Sequence, residues 1–173
     1  MVILISGASH TGKTVLAQNL LEKYHYPYLS IDHLKMGLIR SGNTSLTPCD
    51  DDELTEYLWP IVREIIKTAI ENGQNLVVEG CYIPYNWAES FEESYRTHIR
   101  AFWLIMTPQY IEANFHQILS HANDVEHRLD DSSCDRDVLI ADNLKNLQNC
   151  RDFACECILI DDKYEMGEIL CHM

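Results

Sequence analysis

The sequence predicts an α/β fold: a parallel sheet with helices on both faces. Three observations carry this. Short apolar, β-branched runs alternate with longer stretches of 3.6-residue periodicity, the pattern of repeated strand–helix units. The first run, Val2-Ile3-Leu4-Ile5-Ser6, is apolar almost throughout, as a strand buried on both faces must be. Finally, a glycine-bearing turn leads straight from that run into a helical stretch, which completes the first unit by Tyr24.

The elements follow in order. Val2 to Ser6 is the first strand, and Lys13 to Tyr24 a helix with Val15, Leu16, Leu20 and Leu21 at helical spacing. Tyr26 to Ile31 reads as a second strand. Asp32 to Arg40 reads as a helix whose apolar side carries Leu34, Leu38 and Ile39. Ser41 to Asp52 is a polar loop with Gly42, Asn43 and Pro48 as its turn residues.

A long helix runs from Asp51 or Asp52 to Asn72, its apolar face built from Leu54, Leu58, Ile61, Val62, Ile65, Ile66, Ala69 and Ile70. Acids occupy its first turn, Gly73 stops it, and Pro60 is expected to kink it. Asn75 to Glu79 is the third strand and His98 to Met106 the fourth. Thr107-Pro108 then opens a helix to about His121, with Thr107 as N-cap and Pro108 at the first helical position. Ala122 to Arg136 is a polar, mobile excursion. Asp137 to Phe153 is the last helix, and Cys157 to Ile160 the fifth strand. In such sheets ligands bind beyond the carboxyl ends of the strands, where Ser6-Gly7, Asp32 and Glu79 fall.

Composition excludes several classes. A chain of 173 residues has room for one domain, here expected to span 1–173. Its 46% apolar and 23% charged residues exclude a disordered tail, a collagen-like fibre or a coiled-coil rod. Thirteen basic against 27 acidic residues give a formal charge of −14, so nucleic acid is not an expected partner. No apolar stretch approaches the ~20 residues that span a bilayer, so no membrane association is expected. The seven cysteines are odd in number and follow no secretory signal, which points to reduced thiols in a cytoplasmic protein. Cys155-x-Cys157 lacks the second half of a zinc site. Oligomeric state is not legible.

One motif carries the chemistry. Gly7-Ala8-Ser9-His10-Thr11-Gly12-Lys13-Thr14 fits G-x-x-x-x-G-K-[ST] in full, between a buried strand and a helix. The chain's own composition makes a chance match roughly a one-in-a-thousand event. The glycines let backbone N–H groups turn inward around a phosphate, and the helix N-terminus adds its positive dipole. Lys13, read as exposed, would bridge the β- and γ-phosphates of a nucleotide, and the Thr14 hydroxyl would ligate Mg²⁺. D-x-x-G, N-K-x-D and L-S-G-G-Q are all absent, and the chain is too short for a motor or AAA-type module. A small phosphotransferase remains.

The order of parts resembles the small P-loop kinases, the adenylate kinase-like group that also holds shikimate kinase, gluconate kinase, chloramphenicol phosphotransferase and zeta-type toxin kinases. The resemblance spans most of the chain and is most specific at the first strand and its loop. It implies a three-layer P-loop NTPase fold with a five-stranded parallel sheet in the order 2-3-1-4-5. It also implies ATP and Mg²⁺ as cofactors and a small-molecule acceptor. Leu29-Ser30-Ile31-Asp32-His33-Leu34 looks like the group's acceptor-side segment, extended here over about 32–72, and Val77-Val78-Glu79-Gly80 like its third-strand acid. The 122–136 stretch, with Arg128 and Arg136, stands at the lid position. Where adenylate kinases have Asp-Gly-Phe-Pro-Arg, this chain has Glu79-Gly80-Cys81-Tyr82-Ile83-Pro84, without arginine. That favours a hydroxyl acceptor over a nucleotide. A nucleoside monophosphate kinase, a toxin-like nucleotide-sugar kinase and a regulatory nucleotide-binding module are the rival readings.

Each singled-out residue also has a plainer reading. Asp32 is the candidate general base for an attacking alcohol, or else a helix N-cap. Glu79 is the candidate to hold a Mg²⁺-bound water, or else the base itself with Asp32 orienting the substrate. Arg128 and Arg136 are candidates for the transferred phosphate and Arg40 for the acceptor, against surface ion pairs. Lys35 is the weakest of these. His116, His121 and His127 are spaced five and six apart, which puts no pair on one helix face. His10 is expected to be exposed near the γ-phosphate. Tyr82, Tyr85 and Trp87 are read as core packing first and acceptor-pocket wall second.

Overall fold

The computed structural model describes residues 1–121 and 135–164. Five strands, Val2–Gly7 (β1), Tyr28–Ser30 (β2), Leu76–Glu79 (β3), Ile99–Met106 (β4) and Glu156–Ile160 (β5), form one sheet in the order β2-β3-β1-β4-β5. All four pairings are parallel, so each connection crosses over through helix. The helices are Lys13–Tyr24 (α1), Ile31–Arg40 (α2), Asp51–Glu71 (α3), Glu93–Arg96 (α4), Pro108–Ser120 (α5) and Arg136–Asp152 (α6), with one 3₁₀ turn at Trp87–Ser90. Class and strand order are those the sequence and its resemblance led us to expect.

Strand alternation builds two cores, one per face of the sheet. Val2 and Leu4 of β1 join Val78, Ala101, Trp103 and Ile105 against α2 and α3. Ile3 and Ile5 join Val77, Phe102 and Leu104 against α1 and α5. Helix α3 lays Leu54, Leu58, Val62 and Ile66 on the first face, a stripe of four-residue steps. Asp51, Asp52 and Glu53 in its first turn suit the positive end of the helix dipole. Pro60 lies within this continuous helix on its exposed side.

Helix α5 starts as expected, with Thr107 accepting from the Tyr110 N–H at 3.2 Å and Pro108 in the first turn. Helix α6 packs against α5 and β4. Its fully buried Asn143 accepts from the Met106 N–H at 2.8 Å and so satisfies the backbone where β4 ends.

Some expected boundaries shift. Strand β2 is shorter than Tyr26–Ile31, because Pro27 has no N–H to give the ladder and Ile31 is already helical. The 3₁₀ turn and α4 were not anticipated; they are too short to show a period. The lid stretch expected over 122–136 lies outside the described residues up to 134, and Arg128 with it. Its far end is the start of α6, where Asp135 caps the helix through the Asp137 and Val138 N–H groups.

Candidate active site

Three adjacent strands end at one crevice. In register, Ile5 of β1 stands beside Glu79 of β3, and Glu79 beside Ser30 of β2. One residue further along β1 comes Ser6-Gly7 and the loop into α1; past Ser30 comes α2 with Asp32 in its first turn.

The loop is built by its backbone. Gly7 has φ 139°, and a Cβ there would stand 2.4 Å from the Leu104 carbonyl oxygen; only glycine fits. His10 and Gly12 are left-handed at φ 63° and 81°, which bends the chain around a concavity at the N-terminus of α1. Thr11 donates to the Ala8 carbonyl at 2.9 Å, and Lys13 donates to the same oxygen at 2.7 Å. Lys13 is therefore folded back over the loop and only 8% exposed, not standing in solvent as the sequence suggested. His10, expected to be exposed, is half-buried.

Glu79 is almost fully buried, on the sheet face that meets α1, and its Oε2 accepts from the Thr14 hydroxyl at 3.4 Å. Ser30, in register beside it, keeps a buried hydroxyl without a hydrogen-bond partner. A hydroxyl and a carboxylate at the mouth of an N–H-lined loop form a hard-oxygen donor set suited to Mg²⁺, which takes few protein ligands and completes its shell with water and phosphate oxygens. The residues present fit a bound Mg²⁺–nucleotide.

Asp32, in the first turn of α2, has its side chain 41% exposed and pairs with Lys35 one turn on, Oδ1 to Nζ 2.6 Å. It is not the helix cap, since α2 begins one residue earlier and Ser30 holds the cap position. Lys35 also donates to the Tyr82 hydroxyl at 2.9 Å, and that hydroxyl donates to Oδ1 of Asp51 at 2.9 Å. Burial, with the Cys81 thiol and the Asp51 carboxylate adding to it, pushes the Tyr82 phenol well above its ordinary pKa and keeps it a donor. Cys81 is open to solvent, and Lys13, Asp32, Lys35 and Asp51 all act on its charge. The protein around the sulfur still desolvates it enough to raise the thiol pKa.

The Tyr82 ring is core, as read first, and its hydroxyl links Lys35 of α2 to Asp51 of α3. Tyr85 and Trp87 are packing residues, Tyr85 stacked on Trp103 at 5.6 Å and Trp87 edge-on to Phe91 at 6.2 Å. Arg40 is exposed at the far end of α2, and Arg136 lies 3.5 Å from Asp137 at the surface. Among the contacts of the described residues, none brings either side chain to the crevice.

The glycine-bearing loop meets a residue the sequence did not single out. Beyond β5, the Tyr164 hydroxyl donates to the Gly12 carbonyl at 3.0 Å, and a Cβ on Gly12 would stand 2.4 Å from that hydroxyl. Burial raises the Tyr164 phenol pKa above its usual value. The preceding strand end is tied down by Thr107 donating to Asp161 at 2.8 Å. A groove of about 780 Å³ between α3 and the start of β3 lies at the opposite end of the sheet and holds none of these residues.

Compared with family models and with curated proteins, the sequence matches none. Solved structures do match. A gluconokinase from Sinorhizobium meliloti 1021 has TM-score 0.55 and 16% identity over 98% of this chain and 87% of its own. Shikimate kinase from Bacteroides thetaiotaomicron has TM-score 0.56 and 14% identity over 99% and 95%. Shikimate kinase from Aquifex aeolicus has TM-score 0.53 and 12% identity over 99% and 92%. At such identities the likeness shows the fold, and that fold is the one small P-loop kinases use.

Proposed function

We propose that this chain is an ATP- and Mg²⁺-dependent phosphotransferase that moves the γ-phosphoryl group to a hydroxyl of a small metabolite, as a single domain acting in the cytoplasm. The observation that supports it most is the convergence of Lys13, Thr14, Glu79 and Asp32 on one crevice at the carboxyl ends of β1, β3 and β2. Mg²⁺–ATP, when bound, supplies the transferable group and neutralises its charge.

The chain's own residues divide the remaining work. Backbone N–H groups of 8–13 bind the phosphates, and Lys13 exchanges the Ala8 carbonyl for a phosphate oxygen. Thr14 and Glu79 hold the metal side. Asp32, oriented by Lys35, accepts the hydroxyl proton of the acceptor. Arg128 and Arg136 are assigned to the transferred phosphate through their place in the lid stretch, and Arg40 to the outer acceptor side. Among the described residues no helix is long and apolar enough to cross a membrane.

Calorimetric titration with Mg²⁺ and a non-hydrolysable ATP analogue tests the reading. Wild type should bind one equivalent and the Lys13→Ala variant should lose binding while remaining folded. Equal binding by both proteins, or none by wild type, contradicts it.

A further inference from the structure

The loop between β1 and α1 is tied to a residue that lies beyond the last strand. Resting on the phosphotransferase reading, we infer that Tyr164 is a positioning residue for phosphate binding: its hydroxyl fixes the Gly12–Lys13 peptide so that the Lys13 N–H meets a phosphate oxygen.

Lys13 opens α1, so its backbone N–H has no acceptor within the helix. In a trans peptide the C=O and the N–H point in opposite directions, so whatever holds the Gly12 carbonyl also aims the Lys13 N–H. Two donors hold that carbonyl. The Leu16 N–H donates to it at 2.9 Å, the first bond of the helix, and the Tyr164 hydroxyl donates at 3.0 Å. The Leu16 bond draws the carbonyl along the helix and turns the Lys13 N–H back out of its N-terminus. Tyr164 fills the oxygen's second acceptor position and opposes rocking of the peptide about the first bond. Donors on a carbonyl also polarise its amide, which strengthens the N–H at the other end.

Gly12 needs such a hold, because its φ of 81° is left-handed and it has no side chain of its own to restrict it. The other ties of the loop spare this peptide: the Thr11 and Lys13 side chains both donate to the Ala8 carbonyl, and Thr14 reaches Glu79. Tyr164 is itself anchored. Its ring packs on the core that holds Tyr110 and Ile160. Just before it, the Ile160 carbonyl accepts from the Thr107 N–H at 3.0 Å, and Asp161 accepts from the Thr107 hydroxyl at 2.8 Å. Burial keeps the phenol protonated, so it stays a donor. A route of fixed contacts therefore runs from the start of α5 through the end of β5 to the loop.

Inorganic tripolyphosphate with Mg²⁺ is the probe, since it presents a phosphate chain with no nucleoside. In calorimetric titration Tyr164→Phe should bind it about three- to tenfold more weakly than wild type, the scale of one lost hydrogen bond. A non-hydrolysable ATP analogue should lose the same factor. Ile66→Val, which thins the core on the opposite face of the sheet, is the reference for mild destabilisation and should bind like wild type where all three proteins are folded. In ¹⁵N NMR of wild type, the Lys13 backbone amide should move downfield as tripolyphosphate binds. Binding by Tyr164→Phe within about twofold of wild type overturns the inference. So does a loss confined to the ATP analogue, which would make Tyr164 a nucleoside contact, an equal loss in Ile66→Val, or a Lys13 amide that does not move. Wild type that binds neither probe fails the phosphotransferase reading and the inference with it; failure of the inference alone leaves wild-type binding intact.

Discussion

The Thr14 hydroxyl donates to the Glu79 carboxylate at 3.4 Å, joining the first turn of α1 to the end of β3 across 65 positions of sequence. Glu79 is 1% exposed, so its charge is held away from bulk solvent beside the start of α1. Asp32, on the neighbouring strand's exit, is open and ion-paired instead. The two acids therefore have different surroundings and should fail differently.

Glu79→Gln should raise the Mg²⁺ concentration for half-maximal turnover, since it removes charge from the ion's surroundings. Asp32→Asn should lower turnover by roughly 10²–10⁴-fold, the scale of a positioned general base, and leave nucleotide binding intact. Added Mg²⁺ should partly rescue the first variant and not the second. Rescue of Asp32→Asn alone would exchange the two roles.

Lys13→Ala should reduce γ-phosphate transfer to background with little cost to stability. The Ala8 carbonyl that Lys13 occupies keeps its second donor, Thr11, so no buried acceptor is orphaned. The expected loss is about 1 kcal/mol or less on unfolding in denaturant. A collapse of the cooperative transition would show that Lys13 is structural.

Gly12→Ala should destabilise the fold and displace Tyr164, because φ of 81° and a 2.4 Å approach to the phenol both oppose a Cβ. Tyr164→Phe, which removes only the hydroxyl and its bond to the Gly12 carbonyl, should cost about 0.5–1.5 kcal/mol. Combined with Tyr164→Ala, Gly12→Ala should recover part of its loss. Thermal melts of wild type, the three single variants and the double variant check this; full additivity of Gly12→Ala and Tyr164→Ala would show that the two residues do not meet.

Asn143→Leu should cost about 1–3 kcal/mol, since the Met106 N–H at the end of β4 loses its acceptor in a fully buried position. Amide exchange should localise the effect at β4 and α6. An unchanged midpoint would mean that the N–H finds another partner.

The sheet was legible because apolar runs and 3.6-residue stretches alternate cleanly, and because Gly7 to Thr14 marks the turn at the end of β1. Asp32 and Glu79 could be placed at strand ends by the same pattern. The network around them could not. Lys35 meets Tyr82 across 47 positions and Tyr82 meets Asp51 across 31, pairings that depend on how α2, α3 and the exit of β3 converge. Tyr164 reaches Gly12 across 152 positions, and no local signal marks a tyrosine for that contact. The burial of Lys13 was missed for a related reason: the motif specifies a lysine for a phosphate and is silent on which carbonyl holds it in the absence of one.

The central claim is phosphoryl transfer to a small hydroxyl compound, and ³¹P NMR tests it most directly. Wild-type protein is incubated with Mg²⁺, ATP and a mixed set of sugars, polyols, hydroxy acids and nucleosides. The account predicts loss of the γ-phosphate signal, matched by a new phosphate monoester resonance and by ADP, none of which appears with Lys13→Ala. Release of inorganic phosphate alone, or an ATP spectrum unchanged beside demonstrable ATP binding, would contradict it.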